Sequence, residues 1–231
     1  MRKVKRVVSK QPVFKTSVLD GLTPITKLNN SHLAREYLNS RKLPTQALYW
    51  TEKFKEWTNL VKPETFHDIT KDEGSIIIPF INKEGVVFGY QGRSLSSNGL
   101  RYITILLDET QPKIFGLNAV NYDKTIYITE GPFDSLLLEN SIAMAGADVS
   151  LDGIVGSDVV YIYDNEPRNK EITSRIQRHI NSGESVVIWP HNIHEKDIND
   201  MILAGLSVQR LVESNTYSGL TAQLKFNEWK R

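Results

Sequence analysis

The stretch TIYITEGPFD, residues 125–134, begins with an apolar run typical of a buried strand and contains Glu130 and Asp134 just after that run. A second apolar run, over residues 159–163, leads directly into the acidic segment Asp-Asn-Glu at 164–166. Short apolar strands that alternate with helical segments predict a mostly parallel sheet covered by helices. Ligands bind at the carboxyl ends of such strands, so we expect both runs to bring carboxylates to one edge of the sheet.

The carboxylates predicted at that edge would repel one another unless a hard cation lay between them. A cation such as Mg²⁺, held by oxygen ligands, meets this requirement and points to phosphate chemistry. Acidic residues at the starts of helices need no metal, however, because the helix dipole already favours them there. The residues alone leave both interpretations open.

Changes of pattern along the chain predict four parts. They are a basic irregular arm over residues 1–28, an α+β subdomain over 29–120, a mostly parallel sheet covered by helices over 121–206, and a C-terminal extension over 207–231. In the second part we expect a helix capped by Asn30 or Ser31, a looser helix over 44–60, and strands over 75–81, 86–91 and 101–107. In the third part we expect helices over 132–140, 170–181 and 197–203.

The composition limits the functional classes. The chain has 231 residues, a net charge of +1 and no cysteine, so it forms neither a disulfide nor a thiolate zinc site. No apolar stretch reaches the roughly 20 residues that span a bilayer, and the first residues lack the apolar region of a secretory signal. We therefore expect a cytoplasmic protein with no membrane partner, located in the host cytoplasm if the protein is viral.

Five basic residues crowd the N-terminus, namely Arg2, Lys3, Lys5, Arg6 and Lys10. Such an arm can contact the phosphates of a nucleic acid. A solvated tail has the same composition, so the two interpretations stay open.

Three segments of the C-terminal half resemble the toprim domain, a metal-binding fold shared by bacterial-type primases, topoisomerases and some nucleases. Residues 126–134 fit the family's strand that ends in Glu-Gly-x-x-Asp, and residues 143–147 are similar to the small-residue strand and turn that follow it. The segment Asp164-Asn165-Glu166 stands where the family usually has Asp-x-Asp. The resemblance therefore implies a toprim-type sheet.

The N-terminal half narrows this resemblance to the catalytic core of bacterial and phage primases. Its motifs follow one another in the family's order: IPF at 78–80, GYQGR at 89–93, RYIT at 101–104, KIFGL at 113–117 and, later, KDIND at 196–200. The resemblance implies an RNA polymerase that makes short RNA primers on a single-stranded DNA template from ribonucleoside triphosphates. It also implies Mg²⁺ or Mn²⁺ as the cofactor and no zinc. A replicative helicase is a candidate partner of such a primase.

The resemblance also assigns site residues. Glu130, Asp164 and Glu166 would be catalytic, and the metal ligands would be Glu130, Asp134, Asp164, Glu166 and Asp197. Three basic residues, Arg93, Arg101 and Lys113, would hold the template or the triphosphate. The alternative for the basic residues is an ordinary solvated strand face, and for Asp197 it is a helix cap.

Two departures from the family pattern keep other functions open. The usual Asp-x-Asp is Asp-x-Glu here, and we expect the chain to lack the zinc ribbon and the helicase domain that accompany such cores. The first alternative is a toprim nuclease or phosphotransferase without polymerase activity. The second is a non-catalytic single-strand-binding replication subunit that has kept the fold.

Overall fold

The computed structural model describes residues 18–96, 100–146 and 158–230. The basic residues of the predicted arm, Arg2 to Lys10, lie outside the described residues, as does Ala147 at the end of one toprim-like segment. None of the helices in the described ranges is long and apolar enough to cross a membrane.

The first sheet lies in the N-terminal half and is antiparallel throughout. Its strands are β1 (Thr23–Pro24), β2 (Tyr49–Thr51), β3 (Ser75–Ile81), β4 (Val87–Ser94) and β5 (Tyr102–Leu106), in the order β1-β2-β3-β4-β5. Two helices, α1 (Leu33–Ser40) and α2 (Phe54–Val61), accompany the sheet, and a short 3-10 helix covers Ile25–Lys27. This arrangement is the predicted α+β region.

The second sheet has six strands, β6 (Ile114–Phe115), β7 (Ile126–Thr129), β8 (Ser141–Met144), β9 (Val159–Tyr161), β10 (Ser185–Val187) and β11 (Thr216–Tyr217). Their order is β11-β10-β9-β7-β8-β6, in which the four central strands are parallel and the two edge strands are antiparallel to their neighbours. The helices of this half are α3 (Pro132–Ser135), α4 (Lys170–Asn181), α5 (Ile198–Leu203), α6 (Val208–Ser214) and α7 (Gly219–Trp229). The predicted fold class, an α+β region followed by a mostly parallel sheet covered by helices, is confirmed.

The two sheets share their apolar cores. Ile126 and Ile128 of β7 are at most 1% exposed and lie in the main core of the second sheet. Phe80 and Phe88 of the first sheet pack into that same core, while Phe133 of α3 packs into the core of the first sheet. Because full burial of one such side chain contributes about 1.5–3 kcal/mol, this exchange of side chains holds the two halves in a fixed relation.

Some predicted elements are wrong for identifiable reasons. The first helix is capped by His32, whose Nδ1 accepts from the backbone N–H of Ala34, and not by Asn30 or Ser31. The helix predicted over residues 44–60 is instead β2 followed by α2. The spacing of Leu48 and Phe54 suggested one apolar face of a single helix. The two side chains pack into different cores instead, because they do not belong to one helix.

Other differences concern the ends of elements. The helix predicted over 132–140 ends at Ser135, after which Leu137 and Leu138 donate to carbonyls three residues back and the chain turns early into β8. The helices α6 and α7 and the strand β11 were not predicted. The domain boundaries at residues 120 and 206 stay a prediction, and the second sheet extends past both through β6 and β11.

Gly92, in the GYQGR segment, allows α2 to pack directly on β4. A Cβ atom at this position would lie 2.3 Å from Cε2 of Phe54, which is 4% exposed. We expect Gly92→Ala to lower the free energy of unfolding in urea by about 1–3 kcal/mol, because the buried ring must move. Gly131→Ala is the control, since its Cβ would meet only Oδ2 of Asp134 at 3.6 Å, and it should change stability by no more than about 0.5 kcal/mol. Equal stability of the two variants would contradict this packing.

Candidate active site

The parallel pairing of β7 with β9 brings two acidic segments together. Ile128 pairs with Tyr161, so both strands end at the same edge of the sheet, with Glu130 beyond one end and Asp164 beyond the other. The backbone N–H of Asp164 donates a hydrogen bond to the carboxylate of Glu130. Glu166, two residues further, lines the same open cavity of about 360 Å³.

Two further carboxylates lie beside this pair. Asp134 stands in the first turn of α3, and its carboxylate accepts from the backbone N–H of Asn199. Asp197 is the N-cap of α5 and accepts from the backbone N–H of Asp200 at 2.7 Å, so the capping interpretation of Asp197 holds for one oxygen atom. We call Glu130, Asp134, Asp164, Glu166 and Asp197 the acidic cluster.

The carboxylates of the acidic cluster repel one another, and several of their pKa values are raised. Burial, followed by the charge of Glu130, raises the pKa of Asp164 from 3.8 to about 7. Burial, followed by the charges of Asp197 and Asp164, raises the pKa of Asp134 to about 7. The pKa of Glu130 is also raised by burial, although Arg175 and the backbone of Asp164 oppose the shift. The protein therefore holds these carboxyl groups closer together than their charges favour.

Two basic side chains partly balance this charge. Nη1 of Arg175 lies 2.8 Å from Oε1 of Glu130, and its Nη2 lies 2.6 Å from Oε1 of Glu171. Nζ of Lys196 lies 3.7 Å from Oδ2 of Asp164 and 3.5 Å from Oε2 of Glu166. Among the described residues, no three acidic or histidine side chains are arranged so that they could already hold one metal ion. The donor set nevertheless fits a divalent cation, because clustered carboxylate oxygens are the ligands that Mg²⁺ and Mn²⁺ prefer.

Arg93 lies beside two tyrosine rings of the N-terminal half. Its guanidinium carbon is 5.5 Å from the ring centre of Tyr37 and 4.5 Å from that of Tyr102, and its Nη2 donates to the hydroxyl of Tyr37 at 3.1 Å. Phe133, which precedes Asp134, contacts both tyrosine rings. The Nε and Nη1 atoms of Arg93 are buried and form no hydrogen bond with a described residue. Both atoms therefore keep unused donors, which a ligand reaches only when the surrounding side chains move.

The electrostatics of Tyr102 place Arg93 and Asp134 in one environment. Burial raises the pKa of Tyr102 to about 12, with Arg93 lowering it and Asp134 raising it. Arg41, the C-cap of α1, acts on the same groups, since it lowers the pKa of Asp134 against the effect of burial. Arg93, Arg41 and Asp134 therefore all lie within electrostatic range of Tyr102.

The other two predicted basic residues lie further out. The exposed Lys113 passes beside Gly146, which lines the acidic cavity, with its Cδ 3.6 Å from the position of a Cβ there. Arg101 is exposed just before β5, and the described residues show no contact between it and the acidic cluster. Lys113 therefore lies at the rim of the acidic cavity, whereas the site role of Arg101 stays a prediction.

Sequence reasoning missed Arg175 and Arg41 and did not assign Lys196 to the site. The spacing of Glu171 and Arg175 by four residues on α4 was a weak signal, because such pairs are common on exposed helix faces. Arg41 carried no signal, since the site residues that it approaches, Asp134 and Asn199, come from the other half of the chain. Lys196 is the first residue of the KDIND segment. Its position beside Asp164 and Glu166 shows how this segment contributes to the acidic site.

Comparison with known proteins identifies relatives of this arrangement. No family model matches the chain. A DNA primase of Enterobacteria phage T4 is 30% identical over 233 residues, an alignment that covers 96% of this chain and 68% of the relative.

Solved structures show the same fold. The Aquifex aeolicus primase, comprising zinc-binding and RNA polymerase domains, superposes with a TM-score of 0.60 at 21% identity, over 81% of this chain and 57% of that one. A DnaG primase catalytic domain bound to single-stranded DNA gives a TM-score of 0.59 at 15% identity, over 88% of this chain and 79% of that one. Together with the similarity to the phage T4 protein, they confirm the resemblance read from the motifs: this chain belongs to the DNA primase family.

Proposed function

We propose that this protein is a DNA-dependent RNA polymerase that makes short RNA primers on single-stranded DNA by metal-dependent nucleotidyl transfer. The observation that carries the proposal is the acidic cluster, whose carboxyl groups lie close enough to raise one another's pKa, in a chain of the primase family. The phage T4 relative is named a DNA primase, and one solved catalytic domain of this fold is bound to single-stranded DNA. Both support template-directed synthesis as the reaction.

We assign the metal-binding role to the acidic cluster. Glu130, Asp164 and Glu166 would hold Mg²⁺ or Mn²⁺ in the acidic cavity, and Asp134 and Asp197 would supply oxygen ligands beside it. Bound divalent ions neutralise charge on a triphosphate and lower the pKa of an attacking 3′-hydroxyl. This role would explain why the chain has acidic groups whose pKa values are raised by burial and by neighbouring carboxylates.

The basic residues divide the remaining work. Arg175 is 15% exposed and orients the carboxylate of Glu130 through a direct ion pair. Lys196 is 56% exposed and more than 3.4 Å from both of its carboxylates, so its ammonium group moves aside at little cost when another cation arrives. Its position suits it to neutralise the site between turnovers.

Arg93 would bind a phosphate group of the substrate. The rings of Tyr37 and Tyr102 lie beside the guanidinium, and its unpaired N–H groups would become available to a phosphate when the surrounding side chains move. A fork of N–H donors fits a phosphate in two-point contact. Lys113 at the cavity rim, and Arg101 further out, would contact phosphates of the template strand.

Charge removal without change of size tests the acidic cluster. We expect Glu130→Gln and Asp164→Asn each to lower the yield of oligoribonucleotides on single-stranded DNA by at least about 100-fold, because each removes charge from the cation site. Glu139→Gln, at an exposed position of the same half, is the control and should retain full activity. Near wild-type synthesis by either site variant would remove that residue from the site. Metal-dependent DNA degradation without incorporation of nucleotides would replace the polymerase with the nuclease.

The pKa shifts predict how stability depends on pH in the metal-free protein. Asp164 has a folded-state pKa of about 7 against 3.8 in its unperturbed state, so the folded protein binds more protons between those values. Its favourable contribution is therefore complete below about pH 4 and is lost as the pH rises through about 7. We expect thermal unfolding in EDTA to show this loss for the wild type and a smaller loss for Asp164→Asn. Saturating Mg²⁺ should raise the melting temperature of the wild type at pH 8 and not that of the variant.

Asp123→Asn, at an exposed position, is the control for the pH experiment. It should follow the wild-type profile and respond equally to Mg²⁺. A pH profile of Asp164→Asn that superposes on the wild type would contradict the crowding of the carboxylates.

Replacement of Arg93 separates substrate binding from template binding. Arg93→Lys keeps the positive charge but loses the planar fork, and we expect it to lower kcat/KM for nucleotide incorporation about 10- to 100-fold, with little change in affinity for single-stranded DNA. Arg210→Lys on the exposed face of α6 is the matched control and should leave both quantities unchanged. A defect confined to DNA affinity would move Arg93 from the triphosphate to the template.

A further inference from the structure

Asn165, the residue between Asp164 and Glu166, uses its whole side chain in hydrogen bonds. Its Nδ2 donates to the carbonyl oxygens of Ile193 and Glu195, at 3.0 and 3.1 Å. Its Oδ1 accepts from the indole N–H of Trp229 at 2.9 Å. Both N–H groups and the oxygen atom of the carboxamide therefore have hydrogen-bond partners within the protein.

These bonds join the two loops that carry the acidic cluster. The backbone N–H of Asn165 also donates to the carbonyl oxygen of Lys196 at 2.6 Å. One loop supplies Asp164 and Glu166 after β9, and the other supplies Lys196 and Asp197 after β10. Three hydrogen bonds from Asn165 thus fix the distance between the loops.

Trp229 connects this junction to the C-terminal helix. It is the last residue of α7, it is 3% exposed, and its ring packs beside Phe226. The same helix contacts α4, where the side chain of Gln177 donates to that of Gln223 at 2.7 Å. The packing of α7 therefore sets the position of the indole N–H, in addition to the contact of Trp229 with Asn165.

We propose that Asn165 and Trp229 are positioning residues of the active site. The C-terminal helix α7 would then help to hold the loops that carry the acidic cluster. The carboxylates of the two loops repel each other, Lys196 opposes this repulsion only through loose contacts, and the neutral carboxamide holds the loops together without adding charge. Asn165 would thereby set the spacing of Asp164 and Glu166 from Asp197, and Trp229 would fix the orientation of the carboxamide. The consequence for catalysis rests on the proposed primer synthesis, whereas the consequence for loop spacing does not.

Two tryptophans provide a matched test. Trp229→Phe removes the indole N–H that binds Asn165 while keeping an aromatic ring. Trp57→Phe is the control, because Trp57 is 5% exposed and its Nε1 has no hydrogen-bond partner among the described residues. Both variants should lower the melting temperature by a similar amount, of order 2–4 °C.

Only Trp229→Phe should affect the site. In metal-free protein, we expect hydrogen exchange of the Asn165 amide to become about tenfold faster. We also expect the affinity for Mn²⁺ alone, measured by titration calorimetry, to fall about tenfold or more, as it does when outer partners of metal ligands are lost. Primer synthesis should lose kcat, with little change in the KM for nucleotides. Trp57→Phe should leave all three quantities at wild-type values.

A second substitution acts on the other partner. Asn165→Leu removes the acceptor for Trp229 and both donors to the carbonyls of Ile193 and Glu195 without adding charge, and it should weaken Mn²⁺ binding more than Trp229→Phe does. The proposal is overturned if Trp229→Phe and Trp57→Phe change exchange and Mn²⁺ affinity equally, or if Asn165→Leu binds Mn²⁺ like the wild type. Failure of the wild type to make primers would refute the proposed function, and the exchange measurement would still decide the role of Asn165 and Trp229.

Discussion

The parallel pairing of β7 with β9 is the constraint on which the site depends. Because the two strands run side by side in register, the segments that follow them begin at the same edge of the sheet and bring Glu130 and Asp164 close together. The apolar residues of the two strands supply the free energy that keeps these charges together. Every other member of the acidic cluster is placed relative to this pair.

The charge balance of the site follows from that placement. The protein brings carboxylates together and then opposes their repulsion with two different cations, the largely buried Arg175 and the exposed Lys196. The first is held by Glu130 and Glu171 in a two-point contact, and the second is held loosely. Arg175 orients the carboxylate of Glu130, whereas Lys196 can be displaced from its carboxylates. The acidic side chains are therefore held in position and remain accessible to an incoming metal ion.

The sequence predicted those features that depend on local pattern. The run before Glu130 and the run before Asp164 identified two neighbouring strands because buried parallel strands are continuously apolar. The helix Lys170–Asn181 was predicted at its observed bounds since its isoleucines share one face. The features that were missed arise from contacts between distant segments. β2 becomes a strand by pairing with β3, and Trp229 reaches Asn165 across 64 positions of the chain.

The central claim is that the acidic cluster holds a divalent cation for nucleotidyl transfer. The most direct measurement is a crystal structure determined in Mn²⁺ with a ribonucleoside triphosphate, in which anomalous scattering locates the ions. The account predicts an anomalous peak coordinated by Glu130 and Asp164, Lys196 displaced from its two carboxylates, and a phosphate group against Arg93. A peak elsewhere, or a site in which Lys196 stays between Asp164 and Glu166 with no ion at saturating Mn²⁺, would contradict it.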